Sequence, residues 1–140
     1  MSTEAFIWNY RDGEPIGFDY VTVREILSTD QTESLDQYGC LRVWFQEPDD
    51  VVDIYLGGKE AAESGDVAGI VVARPIRHPA FLERLFQVLQ LGDVMLFYSD
   101  ETTPVFRSGA DAGQYPADLL AQLGEPRYVN TPEELVQQEP

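Results

Sequence analysis

Apolar positions recur with a helical period over one stretch of the chain and fill short unbroken runs on either side of it. Between Ala80 and Leu91, Phe81, Leu85 and Val88 interleave with Leu82, Phe86 and Leu89 at spacings of three and four. Glu83, Arg84, Gln87 and Gln90 fall on the opposite side. This pattern predicts an amphipathic helix with one wet face. Pro79 suits its first position, where a missing N–H costs nothing, so His78 is the expected N-cap. Gly92 is the expected left-handed C-cap. The flanking runs, Ile70–Ile76 and Val94–Tyr98, are short, apolar and bounded by Gly, Pro or polar residues, as buried strands are. The lengths allow a crossover joining parallel strands, without requiring those strands to be neighbours.

The same reading places a first strand at Phe6–Tyr10, ended by Asp12-Gly13, with Pro15 and Gly17 prolonging the break. Tyr20–Val23 favours a strand by its aromatic and β-branched side chains, although Arg24–Leu27 could begin a helix; strand is the expectation for 19–27. Ser28–Ser34 is polar and predicts a loop. Cys40–Gln46 and Val51–Leu56 predict two strands of an antiparallel hairpin across Glu47–Asp50. Lys59–Asp66 predicts a loop or one weak helical turn. Pro104–Arg107 predicts a short returning strand, at a sheet edge because of its proline. Pro116–Leu123 predicts a short helix burying Leu119, Leu120 and Leu123. Arg127–Val129 predicts a brief strand. Thr131 and Glu134 have capping-box spacing ahead of a last helix anchored by Leu135 and Val136.

Together these elements predict a single α+β domain over residues 1–140, with a mainly antiparallel sheet. The first half is an N-terminal meander, the centre a strand–helix–strand unit, and two short C-terminal helices pack on one face. A more parallel α/β sheet centred on Ile70–Ser99 is the alternative. At 140 residues and 44% hydrophobic composition the chain can build one sizeable core. No apolar run approaches the length of a membrane span, and Met1–Glu4 lacks the basic start of a signal peptide. A cytoplasmic protein is the expectation, and a single Cys40 excludes an internal disulfide.

Charge changes the picture most. Nine Lys and Arg stand against 25 Asp and Glu, a formal net charge of −16. Residues 1–70 hold fifteen of the acids and four of the bases. Such a chain repels nucleic-acid phosphates and anionic membranes, and attracts and steers a basic protein partner.

Candidate chemistry is sparse. One His and one Cys cannot build a structural zinc site, and Asp49, Asp50 and Asp53 lack the alternation and glycine of a calcium loop, as does the region of Asp111. Cys40 and His78 form a dyad only if the Cys40 strand end lies beside the helix N-terminus. Gly57-Gly58-Lys59 lacks the spacing of a phosphate loop. No cofactor, metal or catalytic residue is expected. Arg74 and Arg77 interrupt and end an apolar strand, which makes them candidates for anion binding or a salt bridge. Aromatic residues crowd the acidic first half. Trp44 and Tyr55 beside Asp49, Asp50 and Asp53 have the composition of a protein interface.

The function expected is therefore a non-enzymatic protein-binding module with an acidic, aromatic surface. In size and charge the chain is similar to small bacterial immunity proteins, which neutralise a toxin by covering its active site; no motif carries that likeness. The alternatives are a small enzyme or ligand-binding domain using carboxylates or Arg74 in a pocket, and a regulatory subunit or adaptor without chemistry.

Overall fold

The helix with the strongest periodicity forms where its pattern places it, and the sheet is built around its apolar face. The computed structural model describes residues 4–29, 32–35, 40–46, 50–73, 78–99 and 103–135. In chain order the elements are β1 (Glu4–Arg11), β2 (Glu14–Pro15), β3 (Phe18–Asp19), α1 (Tyr20–Leu27), β4 (Thr32–Leu35), β5 (Cys40–Gln46) and β6 (Asp50–Tyr55). There follow α2 (Gly58–Ser64), β7 (Asp66–Val67), β8 (Ile70–Ala73), α3 (Pro79–Leu89), β9 (Asp93–Tyr98), β10 (Val105–Arg107), α4 (Ala117–Gln122) and β11 (Arg127–Val129). Short 3₁₀ turns occupy Ala112–Gln114 and Pro132–Leu135.

Among the described residues nine strands make one sheet, in the order β11-β10-β9-β1-β8-β6-β5-β4, with β2 paired to the end of β1. All pairs are antiparallel except β10 with β11. A separate two-stranded ribbon joins β3 to β7. The mainly antiparallel α+β architecture is the one the sequence predicts. The first strand, however, is central: β1 lies between β8 and β9 and runs antiparallel to both. The crossover through α3 thus joins two parallel strands with β1 inserted between them.

Strand parity sends two sets of side chains to opposite faces. The inner face carries Ala5, Ile7, Leu41, Val43, Val52, Ile54, Ile70, Val72, Val94 and Leu96, all buried. Against it pack Val23 and Leu27 of α1 and Phe81, Leu82, Leu85, Val88 and Leu89 of α3. Each such side chain fully removed from water stabilises the fold by roughly 1.5–3 kcal/mol before entropy is counted. Phe45 of β5 meets Phe81 edge to face at 5.4 Å between ring centroids. His78 caps α3 as expected, its Nδ1 accepting from the Ala80 N–H at 3.1 Å. Arg84, on the side of α3 expected to be wet, donates to the Ile26 and Ser28 carbonyls at 3.0 and 2.8 Å. It thereby satisfies the C-terminal end of α1, whose last carbonyls lack helical partners.

Six expectations are corrected. Residues 20–27 form a helix, because the Asp19 carboxylate accepts from the Thr22 N–H at 3.0 Å and Val23 and Leu27, four apart, share the buried face. Thr32–Ser34, expected as loop, belong with Leu35 to an edge strand paired with β5. Strand β10 is interior, because Pro104 stops short of it and β11 pairs along its far side. Gly92 is not left-handed; α3 ends at Gln90, and Gly92 serves by its missing side chain. A Cβ there would stand 2.8 Å from the Oδ1 of buried Asn9. The capping residue Glu134 does reach back, its Oε1 accepting from the Thr131 and Asn130 N–H groups at 3.1 and 3.0 Å. The element it starts is a 3₁₀ turn rather than a longer helix. The two C-terminal segments divide between the faces: Leu135 joins the inner core, whereas α4 lies over the outer face.

A second glycine is fixed by backbone geometry. Gly17 has φ +74°, and a Cβ there would stand 2.6 Å from the Val67 carbonyl oxygen. Gly17→Ala therefore combines a left-handed penalty with a clash against backbone that cannot rotate away. It should destabilise by about 2 kcal/mol, read as a fall in urea midpoint at unchanged slope.

The outer face has its own smaller core at one end. Tyr10, Met95, Phe106 and Tyr115 are buried there beneath Trp8, Ala110, Leu119, Leu120 and Leu123. Phe106 and Tyr115 stack at 4.0 Å. Burial raises the Tyr115 phenol well above its ordinary pKa of 10.0, with the Asp93 carboxylate adding to the shift, and burial also raises Tyr10. Above pH 10 the unfolded chain releases these protons before the folded one does, so stability falls as pH rises. In Tyr115→Phe the alkaline limb of a stability–pH curve should be shallower, Tyr10 supplying the rest. Near pH 7 the variant should lose about 1 kcal/mol with the hydrogen bond from Tyr115 Oη to the Val94 carbonyl.

Candidate protein-binding surface

Among the described residues, Tyr115 and the leucines of α4 and Leu123 pack on the outer face over β9, β10 and one end of β1. Over the rest of the sheet the outward side chains of β5, β6, β8, β1 and β9 are left half-buried. These are Trp44, Val51, Val71, Phe6 and Phe97, with Tyr55 exposed at 38%. Register sets their neighbours. Phe6 stands between Val71 and Phe97, Val71 between Phe6 and Tyr55, and Trp44 faces Val51. Partly buried aromatic side chains in adjacent rows, with Tyr55 exposed among them, are the composition of an interface core.

A second row crosses the same face. Arg42 faces Asp53, Asp53 faces Ala73, and Ala73 faces Glu4. Arg42 and Asp53 form a forked ion pair, Nε to Oδ1 at 2.9 Å and Nη2 to Oδ2 at 3.3 Å. Their side chains are 42% and 30% exposed. A cross-strand pair this wet is worth no more than about 1 kcal/mol and orients the groups more than it stabilises them. Ala73, the small residue of the row, leaves a recess of about 220 Å³ lined by Arg42, Trp44, Val51, Asp53 and Ala73. Small-molecule and cofactor sites begin near 300 Å³, so this recess matches one side chain rather than a cofactor.

Of the residues singled out from the sequence, Trp44, Asp53 and Tyr55 meet on this open face. Asp50 begins β6 at a bulge opposite Gln46. Asp49, Arg74 and Arg77 lie outside the described residues. The condition for a Cys40–His78 dyad, that the Cys40 strand end lie beside the N-terminus of α3, is not met. Cys40 pairs with Leu35 and Tyr55, whereas His78 lies against Phe45, five residues along the same strand. That separation is roughly 17 Å at 3.3 Å per residue. Among the described residues no three His, Cys, Asp or Glu side chains converge as a metal site, and no helix is long and apolar enough to cross a membrane.

Glu4, Phe6, Ala73 and Phe97 were not foreseen as part of the surface. Alternation along β1 carried the signal, since Phe6 shares a face with Trp8 and Tyr10. The central position of β1, which brings Phe6 beside Phe97 and Glu4 beside Ala73, comes from long-range pairing. No protein-family model, curated protein or solved structure matches the chain.

Proposed function

We propose that this chain is a non-enzymatic binding module that captures a basic protein on the open outer face of its sheet, in the manner of an immunity-type inhibitor. The observation that carries the reading is the gathering of Phe6, Trp44, Tyr55 and Phe97 with Glu4 and Asp53 on one face of the sheet, over which no described helix packs. The net charge of −16 supports a basic partner, because the long-range field selects positive surfaces and raises their rate of encounter. Aromatic anchors on a sheet face then supply the short-range energy. A recess sized for one side chain favours a protein over a small ligand as the occupant.

Affinity capture from a lysate of the native organism at low ionic strength tests this reading. A basic protein should be retained, should elute as salt rises, and should not be retained by a variant carrying Trp44→Ala and Tyr55→Ala. Retention of no basic protein, or equal retention by the variant, would overturn it.

A further inference from the structure

The row of side chains across the open face has a charge order with one position unfilled. From β5 to β1 it runs Arg42, Asp53, Ala73, Glu4, which is positive, negative, a gap, negative. Neighbouring strands lie about 4.8 Å apart, so the space above Ala73 is one strand spacing from each carboxylate-bearing position. Arg42 lines the same recess, and its guanidinium is engaged with Asp53, Nε to Oδ1 at 2.9 Å. Two oxygens offer about four acceptor positions, and Arg42 takes one on each, so Asp53 keeps capacity for a second donor. No described residue forms an ion pair with the Glu4 carboxylate. Its backbone N–H, by contrast, is held by the Ser99 hydroxyl at 2.9 Å, which fixes the strand end that presents it.

The walls of the gap add a shape. Val51 and Trp44 continue the recess from Ala73 along β6 and β5. An aliphatic stem can lie on Val51, and a planar cation can lie against the indole of Trp44. Lysine offers a point charge, whereas arginine offers a flat fork of donors able to reach carboxylates on two sides at once.

We propose that the gap above Ala73 is a subsite for one arginine side chain of the protein partner, its guanidinium held between Asp53 and Glu4 and its stem against Val51 and Trp44. The assignment rests on the open face being the binding surface and specifies what enters it. It makes Ala73 a specificity-determining residue by its smallness, and Glu4 a charge contact that strand register delivers from the opposite side.

Amide and indole chemical shifts of the full chain, followed while a short Gly/Ser peptide with one central arginine is added, test the subsite. The peptide should shift Ala73, Asp53, Glu4 and the Trp44 indole saturably, and its citrulline counterpart should not. Glu4→Gln should weaken the effect about tenfold, the size of one charge-assisted hydrogen bond. Ala73→Leu fills the gap without altering charge, and should abolish these shifts while the dispersion of the spectrum stays native. Should the citrulline peptide act equally, or Ala73→Leu respond as the parent does, the subsite is wrong. The broader reading survives that failure if Phe6, Tyr55 and Phe97 still respond to the arginine peptide in a salt-dependent way. If no resonance of the open face responds, the subsite falls and the face loses its support as a basic-protein surface.

Discussion

Phe81→Ala should lower stability by about 3–5 kcal/mol, the range for truncating a fully buried aromatic side chain. Phe81 has no exposed surface and lies at the N-terminal end of α3, where it contacts Phe45 from β5. It joins the helix to the half of the sheet that carries the open face, so a cavity there loosens both layers. The melting temperature should fall by roughly 10–15 °C for a domain of this size. Exposed apolar positions such as Val21, at 58%, should change it little when replaced by alanine in the same assay. A fall of similar size at Val21, or none at Phe81, would contradict the core as described.

The second large effect concerns binding. Trp44→Ala with Tyr55→Ala should weaken the captured partner by about 100-fold or more, two hot-spot truncations of about 2 kcal/mol each being partly non-additive. The loss should appear in the dissociation rate, because neither change alters the net charge that steers association. The slope of affinity against salt should therefore stay near that of the parent, while the folded baseline and urea slope are retained. A loss confined to the association rate would point to electrostatics alone and against aromatic anchoring.

These predictions draw on features of unequal legibility in the sequence. Helix α3, its His78 cap and the two strands around it follow from local periodicity, because their buried faces repeat at fixed spacings. The β5–β6 hairpin follows for the same reason, and with it the shared face of Arg42, Trp44, Asp53 and Tyr55. Residues 20–27 misled because Tyr, Val and Thr favour strands intrinsically. The Asp19 cap and the burial of Val23 and Leu27 against the core outweigh a preference worth only tenths of a kcal/mol per residue. The edge strand β4 has a polar sequence and exists because β5 offers an unpaired edge.

The site was legible only in part. Trp44, Asp53 and Tyr55 lie close in sequence, and parity alone unites them. Glu4, Phe6, Ala73 and Phe97 join them through pairings between distant segments, which no local pattern encodes. The role of Ala73 depends on what stands on both sides of it. An alanine in an apolar run carries no signal until Asp53 and Glu4 are placed beside it.

A basic protein docked on the open face would shield the side chains of that face from solvent. Hydroxyl-radical footprinting of side chains, with and without the captured partner, measures that shielding most directly. Protection is expected at Phe6, Trp44, Tyr55 and Phe97, with Val21, Leu91 and Tyr128, exposed elsewhere on the molecule, labelled as in the free protein. Protection of Val21, Leu91 or Tyr128 with unchanged labelling of Trp44 and Tyr55 would contradict docking on the open face.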